Sequence, residues 1–147
     1  MTQLKEGDKA PGIENILESG KLKGKKLILY FYPKDNTPGC TAEACNLRDN
    51  YETLKTKKYE VIGVSPDNEV LHEKFKTKNE LPFQLIADTE KKILNDFGVW
   101  GEKKLYGKTY MGVNRTTFII NDKGIIEKII TKVQTKDHAN QILNDMQ

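Results

Sequence analysis

Leu27 to Tyr32, Leu-Ile-Leu-Tyr-Phe-Tyr, is an unbroken apolar and aromatic run that Pro33 ends. It is too short for an ordinary helix and lacks the polar–apolar alternation of a strand with one wet face. It therefore reads as a central strand covered on both faces, which requires helices above and below a sheet. The residues that follow supply one. Thr37 suits an N-cap, and Pro38 suits the first helical position, where a missing N–H costs nothing. Ala44, Leu47, Tyr51 and Leu54 then recur at helical spacing as a core-facing stripe.

The alternation continues downstream. Tyr59 to Ser65 reads as a strand, and Asp67 to Asn79 as an amphipathic helix with Val70, Leu71, Lys74 and Phe75 near its buried side. Phe83 to Asp88 reads as a short strand, and Thr89 to Gly98 as a helix closed by its glycine. Arg115 to Asp122 and Gly124 to Ile130 are β-rich runs around a turn at Asp122-Lys123-Gly124, hence an antiparallel hairpin. Thr135 to Gln147 is expected to be a C-terminal helix, and the first 26 residues to be loops with a short hairpin. The fold class is thus α/β, one domain over residues 1–147, with a mixed central sheet flanked by helices. The thioredoxin-like fold has this composition, as do other small α/β sandwiches that periodicity does not separate.

Charge and hydropathy narrow the function classes. The net charge of +3 is spread among interspersed acids and bases, with no basic stripe, which argues against nucleic acid as a partner. No apolar run approaches the ~18 residues of a membrane span. The polar, charged N-terminus does not resemble a secretory signal, so a cytoplasmic location is expected.

Against that background the two cysteines, Cys40 and Cys45, stand out. In a reducing cytosol a cysteine pair points to catalysis or metal binding rather than a permanent staple. A structural zinc site needs about four Cys or His ligands. With His72 and His138 the only histidines and no metal-type spacing, no metal is expected. Cys40 falls three positions after Thr37, in the first helical turn. Unpaired N–H groups and the positive dipole end there favour a thiolate, the nucleophilic form. The alternative is a buried, inert cysteine packing as a small hydrophobe. Cys40 shares the stripe of Ala44 and Leu47, whereas Cys45 lies about 140° away around the axis. Their Cα atoms would stand roughly 8–9 Å apart on an intact helix, and a disulfide needs them within about 7 Å. Either the two never bond, or bonding unwinds the first turns.

Tyr32 to Cys45, Tyr-Pro-Lys-Asp-Asn-Thr-Pro-Gly-Cys-Thr-Ala-Glu-Ala-Cys, resembles the active-site segment of the peroxiredoxins, the thioredoxin-dependent peroxidases. It is most similar to the bacterioferritin comigratory protein branch, also called peroxiredoxin Q. Pro33, Thr37 and Cys40 meet the family's Pro-x-x-x-Thr/Ser-x-x-Cys pattern, and Arg115 meets its Arg-x-Thr-Phe context. Gly-Asp-Lys-Ala-Pro near the start, Val-Ile-Gly-Val-Ser-Pro-Asp and the Gly98 to Gly112 segment extend the resemblance over almost the whole chain. Asn121 stands in a turn where the family often has Asp.

The resemblance implies a peroxidase that reduces hydrogen peroxide and organic hydroperoxides in antioxidant defence. Cys40 would be the attacking thiolate and Cys45 the resolving thiol, their intramolecular disulfide being reopened by thioredoxin. Arg115 would stabilise the thiolate and the developing oxyanion. Thr37 would offer its hydroxyl to the peroxide while capping the helix, and Pro33 would shield the sulfur. The N–H groups of Gly39 and Cys40 would complete the donor set, Gly39 leaving the approach open. No metal, haem or flavin is implied, and the branch suggests a monomer. Taken singly, Thr37 reads as only a cap, Pro33 as a strand terminator and Arg115 as a surface arginine. Trp100 and Tyr106 read as packing or pocket-wall residues, and the two histidines as solvated. A general thiol–disulfide oxidoreductase is the nearest competitor, but it would carry Cys-x-x-Cys. A redox-switched sensor is the competitor from another class. A phosphatase is disfavoured by Asn46, where a Cys-x5-Arg cradle needs arginine.

Overall fold

The computed structural model describes residues 2–16 and 24–146. Their elements, in chain order, are α1 (Ile13–Ile16), β1 (Lys26–Phe31), α2 (Pro38–Asp49), α3 (Tyr51–Thr56), β2 (Tyr59–Ser65), α4 (Glu69–Lys78) and β3 (Gln84–Ala87). There follow α5 (Lys92–Asp96), β4 (Trp100–Leu105), β5 (Lys108–Val113), β6 (Thr116–Ile120), β7 (Ile126–Ile130) and α6 (His138–Asp145). The main sheet runs in the order β3-β2-β1-β6-β7. β1, β2 and β3 are parallel, and β6 and β7 are added antiparallel. The apolar run is the middle strand, as its lack of alternation requires, and all of its residues from Leu27 to Phe31 are buried.

Successive β1 side chains feed two cores, one on each face of the sheet. Ile28, Tyr30 and Tyr32 join Cys40, Ala44, Leu47, Leu54, Phe75 and Ile142 beneath α2, α4 and α6. Leu27, Leu29 and Phe31 join Leu94, Phe97, Val99 and Phe118 on the other face. Of the stripe expected on the first long helix, Ala44 and Leu47 lie on α2 and hold it to the sheet beside Cys40, whereas the helix breaks at Asn50 and Tyr51 and Leu54 fall on α3.

Four expectations are corrected. On α4 the buried side chains are His72 and Phe75, while Val70 and Leu71 are exposed, so the inward face lies one residue round from the expected one. α5 is shorter than expected, because Thr89 to Lys91 make a turn with Lys91 left-handed at φ 61°. The carboxylate of Asp88 accepts the Leu94 N–H at 2.7 Å inside that helix. No hairpin forms within residues 2–16, where Lys9 bridges to Ile125, far along the chain; the rest of that expected hairpin falls partly outside the described residues. A second hairpin, β4–β5, was not anticipated. It turns on Tyr106 and Gly107, both at positive φ, the signature of a two-residue loop between antiparallel strands. Tyr106 is consequently at the hairpin tip, 95% exposed, rather than in a core or a pocket wall. Trp100 is half-buried against the second core, with Lys91 Nζ 5.1 Å from its ring centre.

Candidate active site

α2 begins at Pro38 with Thr37 as its extended N-cap residue. A helix start leaves its first N–H groups without intrahelical acceptors, and those of Gly39 and Cys40 fall in that turn. Thr37 takes the cap position but its side chain does not cap. Its hydroxyl instead donates to the Lys34 carbonyl at 2.8 Å, back along the preceding loop. The hydrogen of Thr37 is thereby committed, and its oxygen is left to accept from a neighbour.

Cys40 is 1% exposed, inside the core stripe. β6 brings Arg115 to it from 75 residues away, and Nη2 of the guanidinium donates to Sγ at 3.3 Å. Gly39 explains how the guanidinium fits: a Cβ there would lie 3.3 Å from Nη2, tighter than ordinary contact. The other arm of the guanidinium, Nη1, donates to Glu43 Oε1 at 2.6 Å. Glu43 is fully buried. Burial raises its pKa, Arg115 pulls it back by charge and hydrogen bond, and the net result is about 7. Its second oxygen, Oε2, lacks a hydrogen bond among the described residues and faces His138 Nε2 at 3.6 Å.

His138 is fully buried, against the expectation that it is solvated. Its tautomer can be assigned from its partners. Gln141 donates through its amide nitrogen to the Lys132 carbonyl, so its oxygen faces the ring, and Nδ1–H donates to that oxygen at 2.9 Å. Nε2 is left as the acceptor for the Thr117 hydroxyl at 2.8 Å. Burial first, and the Arg115 charge with it, depress this ring to about 4. His72 is buried too, held by Asp35 and the Ile86 carbonyl.

Of the residues expected at the site, Cys40, Arg115 and Gly39 stand in direct contact or close approach, and Thr37 opens the same helical turn. Pro33 lies half-buried in the loop between β1 and α2. Cys45 is half-buried on another side of α2, its Sγ 3.6 Å from the Asn79 amide oxygen at the end of α4. Both thiols are free, on one unbroken helix. Glu43 was missed, although a signal existed: it lies on the core-facing side of α2, three residues from Cys40 and next to Ala44, where an acid needs a cation.

Taken together, the helix N-terminus, the buried sulfur and the guanidinium form a place where an anionic sulfur is stabilised and a second anion can be received. Known proteins resemble the chain over most of its length. The model of the AhpC/TSA family matches residues 4–129. A protein named putative peroxiredoxin bcp, from Buchnera aphidicola subsp. Schizaphis graminum, is 48% identical over 149 residues, spanning 97% of this chain and 94% of its own. Peroxiredoxin Bcp of Bacillus subtilis is likewise 48% identical, over 95% of each chain. Among solved structures, a cysteine-to-serine variant of Xylella fastidiosa PrxQ matches with a TM-score of 0.87 at 27% identity, over 99% of this chain and 97% of that one. The bacterioferritin comigratory protein of Xanthomonas campestris, solved in a study of its alkyl peroxide reduction activity, matches with a TM-score of 0.79 at 32% identity, over 85% of this chain and 80% of that one.

Proposed function

Because the chain belongs to the AhpC/TSA family, as a peroxiredoxin of the Bcp or peroxiredoxin Q branch, we propose that Cys40 is its peroxide-reducing thiol and Cys45 its resolving thiol. The protein is a thiol peroxidase with a thioredoxin-like fold. The observation that carries the assignment is the 3.3 Å hydrogen bond from Arg115 Nη2 to Cys40 Sγ at the head of α2.

The chemistry runs as follows in this reading. The Cys40 thiolate attacks the terminal oxygen of a hydroperoxide. An S–O bond forms, the O–O bond breaks, sulfur is oxidised to sulfenic acid, and the alkoxide or hydroxide leaves. Arg115 holds the thiolate beforehand and the departing negative charge afterwards. Thr37, its own hydrogen given to Lys34, accepts the hydroperoxide hydrogen. The N–H groups of Gly39 and Cys40 add donors, and Pro33 screens the sulfur from water. Hydrogen peroxide and organic hydroperoxides both offer this O–O unit.

Cys45 then attacks the sulfenic sulfur, forming the disulfide and releasing water. A helical α2 keeps the two Cα atoms roughly 8–9 Å apart, beyond the reach of about 7 Å, so its early turns unwind first. A dithiol reductant, for which we propose thioredoxin, reopens the disulfide through a mixed disulfide at Cys45 and is itself oxidised. The reading includes a monomer of one domain in the cytoplasm, where thioredoxin is kept reduced. Among the described residues no helix is long and apolar enough to cross a membrane.

The test is the reaction of reduced protein with stoichiometric hydrogen peroxide, followed by rate and product mass. The expected result is rapid loss of both thiols and an intramolecular disulfide. Cys40→Ser abolishes the reaction, and Cys45→Ser stops at sulfenic acid and does not turn over with thioredoxin. Full peroxide consumption by Cys40→Ser overturns the assignment.

A further inference from the structure

A second buried polar assembly grips the loop between β1 and α2. Asp35 and His72 are 7% and 5% exposed. Tyr32 donates its hydroxyl to Asp35 Oδ1 at 2.6 Å, and His72 Nδ1 lies 2.6 Å from Oδ2. The Asp35 N–H donates to Asp67 Oδ2 at 2.6 Å, and Ser65 donates to the same oxygen at 2.9 Å. On the far edge of the ring, Nε2 lies 2.9 Å from the Ile86 carbonyl of β3.

The protonation state follows from these partners. A neutral imidazole carries one N–H and one bare nitrogen. Here both nitrogens face oxygens, one a carboxylate already accepting from Tyr32 and one a backbone carbonyl. A bare nitrogen at either place would set a lone pair against a lone pair. The doubly protonated ring satisfies both. Burial opposes that charge, while the hydrogen bond and charge of Asp35, the Ile86 carbonyl and the charge of Asp67 favour it, and its pKa ends above the ordinary value.

We propose that His72 is a positioning residue of the peroxide site, an imidazolium clamped between Asp35 and the Ile86 carbonyl that fixes the loop carrying Pro33 and Thr37. The inference rests on the assignment of Cys40, Thr37 and Pro33 made under the proposed function. Its route is short. Asp35 is bonded in sequence to Lys34, whose carbonyl accepts the Thr37 hydroxyl. That bond decides where the Thr37 lone pairs point. The same loop bends through Asn36 at φ 62°, where its side chain accepts from Lys78 of α4. α4 and β3 thus hold the loop from one side, through His72 and Lys78.

The clamp depends on pH. Since the folded value lies above the ordinary one, its contribution is complete below about pH 6.5 and is lost as pH rises through the folded value. The charged and titratable groups around the ring are Asp35 of the loop, Asp67 after β2, and Tyr32 after β1, with ring centres 6.3 Å apart. From α4 itself, Glu69, Glu73 and Lys76 line the same surface cavity, of about 420 Å³, as His72.

The test uses the full chain and the second-order rate of Cys40 oxidation by hydrogen peroxide. His72→Leu is expected to slow it about tenfold or more, since small misplacements of reacting groups carry such penalties. Combined with Thr37→Val, it should cost far less than the product of the two single effects, because both act through one hydroxyl. His72→Asn puts an amide N–H where Nδ1–H stands, and should recover most of the rate at neutral pH while lacking the alkaline decline of the wild type. A wild-type rate in His72→Leu, or effects that multiply with those of Thr37→Val, overturns the proposal. Ring nitrogen shifts measured by NMR at neutral pH give a readout independent of activity. Two protonated nitrogens support the clamp, and a neutral tautomer overturns it, even where the leucine variant fails to fold. Failure of the underlying assignment looks different: Cys40→Ser would still consume peroxide, or Thr37→Val alone would lose nothing.

Discussion

Glu43 is a carboxyl buried without exposure, an environment its type avoids. It is held by one arm of Arg115 and otherwise faces a neutral imidazole. Its pKa near 7, against about 4.5 ordinarily, has a consequence of definite sign. Between those values the folded protein keeps a proton that the unfolded chain releases. The stabilising contribution is therefore complete below about pH 4.5 and lost as pH rises through about 7, roughly 3 kcal/mol over that range. Glu43→Gln keeps an oxygen for Arg115 and removes the titration. Urea unfolding at pH 5 and pH 8 should show the wild type losing stability relative to the variant. A difference between the two proteins that does not change with pH would refute this. His138 works in the opposite direction, losing stability as pH falls from about 6.5 toward 4, but it is common to both proteins. At this scale Cys40 and Thr37 were legible because a cap and a helical stripe are local signals. His72 and His138 were not, because a histidine is buried only when distant residues supply its partners, here Asp35 and Ile86 for one and Thr117 for the other.

α2 is fastened unevenly along its length. Its second half is tied to two other helices. Asn46 accepts the Ala139 N–H and donates to the Lys136 carbonyl, and Arg48 donates to the Asn79 carbonyl at 2.8 Å. Asn46 thus serves as the N-terminal cap of α6, whose own Asp137 makes no side-chain cap bond. Asn46→Ala should cost about 1–2 kcal/mol of stability in urea unfolding, through a lost cap and an unpaired N–H; a loss below a few tenths would show that α6 docks without it. These ties also delimit the unwinding that a Cys40–Cys45 bond requires. On oxidation, amide exchange should accelerate across residues 41–45 while residues 47–49 stay protected. Equal protection in both redox states would rule out the unwinding. The helix itself was evident from its spacing, and so was its inability to hold the disulfide. Its fastenings were not, since Asn46 and Arg48 look like ordinary solvated positions until α4 and α6 are placed beside them.

Across the molecule, the sheet order decides which parts of the chain meet. Pairing of β1 with β2 sets Tyr30 opposite Gly63. The Tyr30 ring lies over that glycine so closely that a Cβ would come within 2.8 Å of it and 2.9 Å of Leu85. Tyr30 in turn stacks on Tyr32 at 5.4 Å and meets Phe83 edge-on at 6.0 Å, so it has little room to yield. Gly63→Ala should destabilise by about 1–3 kcal/mol, as overpacking of a filled core does, measured as a lowered thermal midpoint; an unchanged midpoint would mean that the ring moves freely. The sequence by itself determined the strands of the main sheet and the helices between them, the buried central strand, the turn at which Cys40 sits and the separation of the two thiols, because each depends on spacing within one segment; it did not show the β4–β5 hairpin. Only the tertiary structure decided that Arg115 bridges Cys40 and Glu43, that Gly39 leaves the guanidinium its place, and that both histidines are interior. Those facts depend on strand order and on which helix faces cross the sheet, and hydrophobic periodicity carries no information about partners distant along the chain.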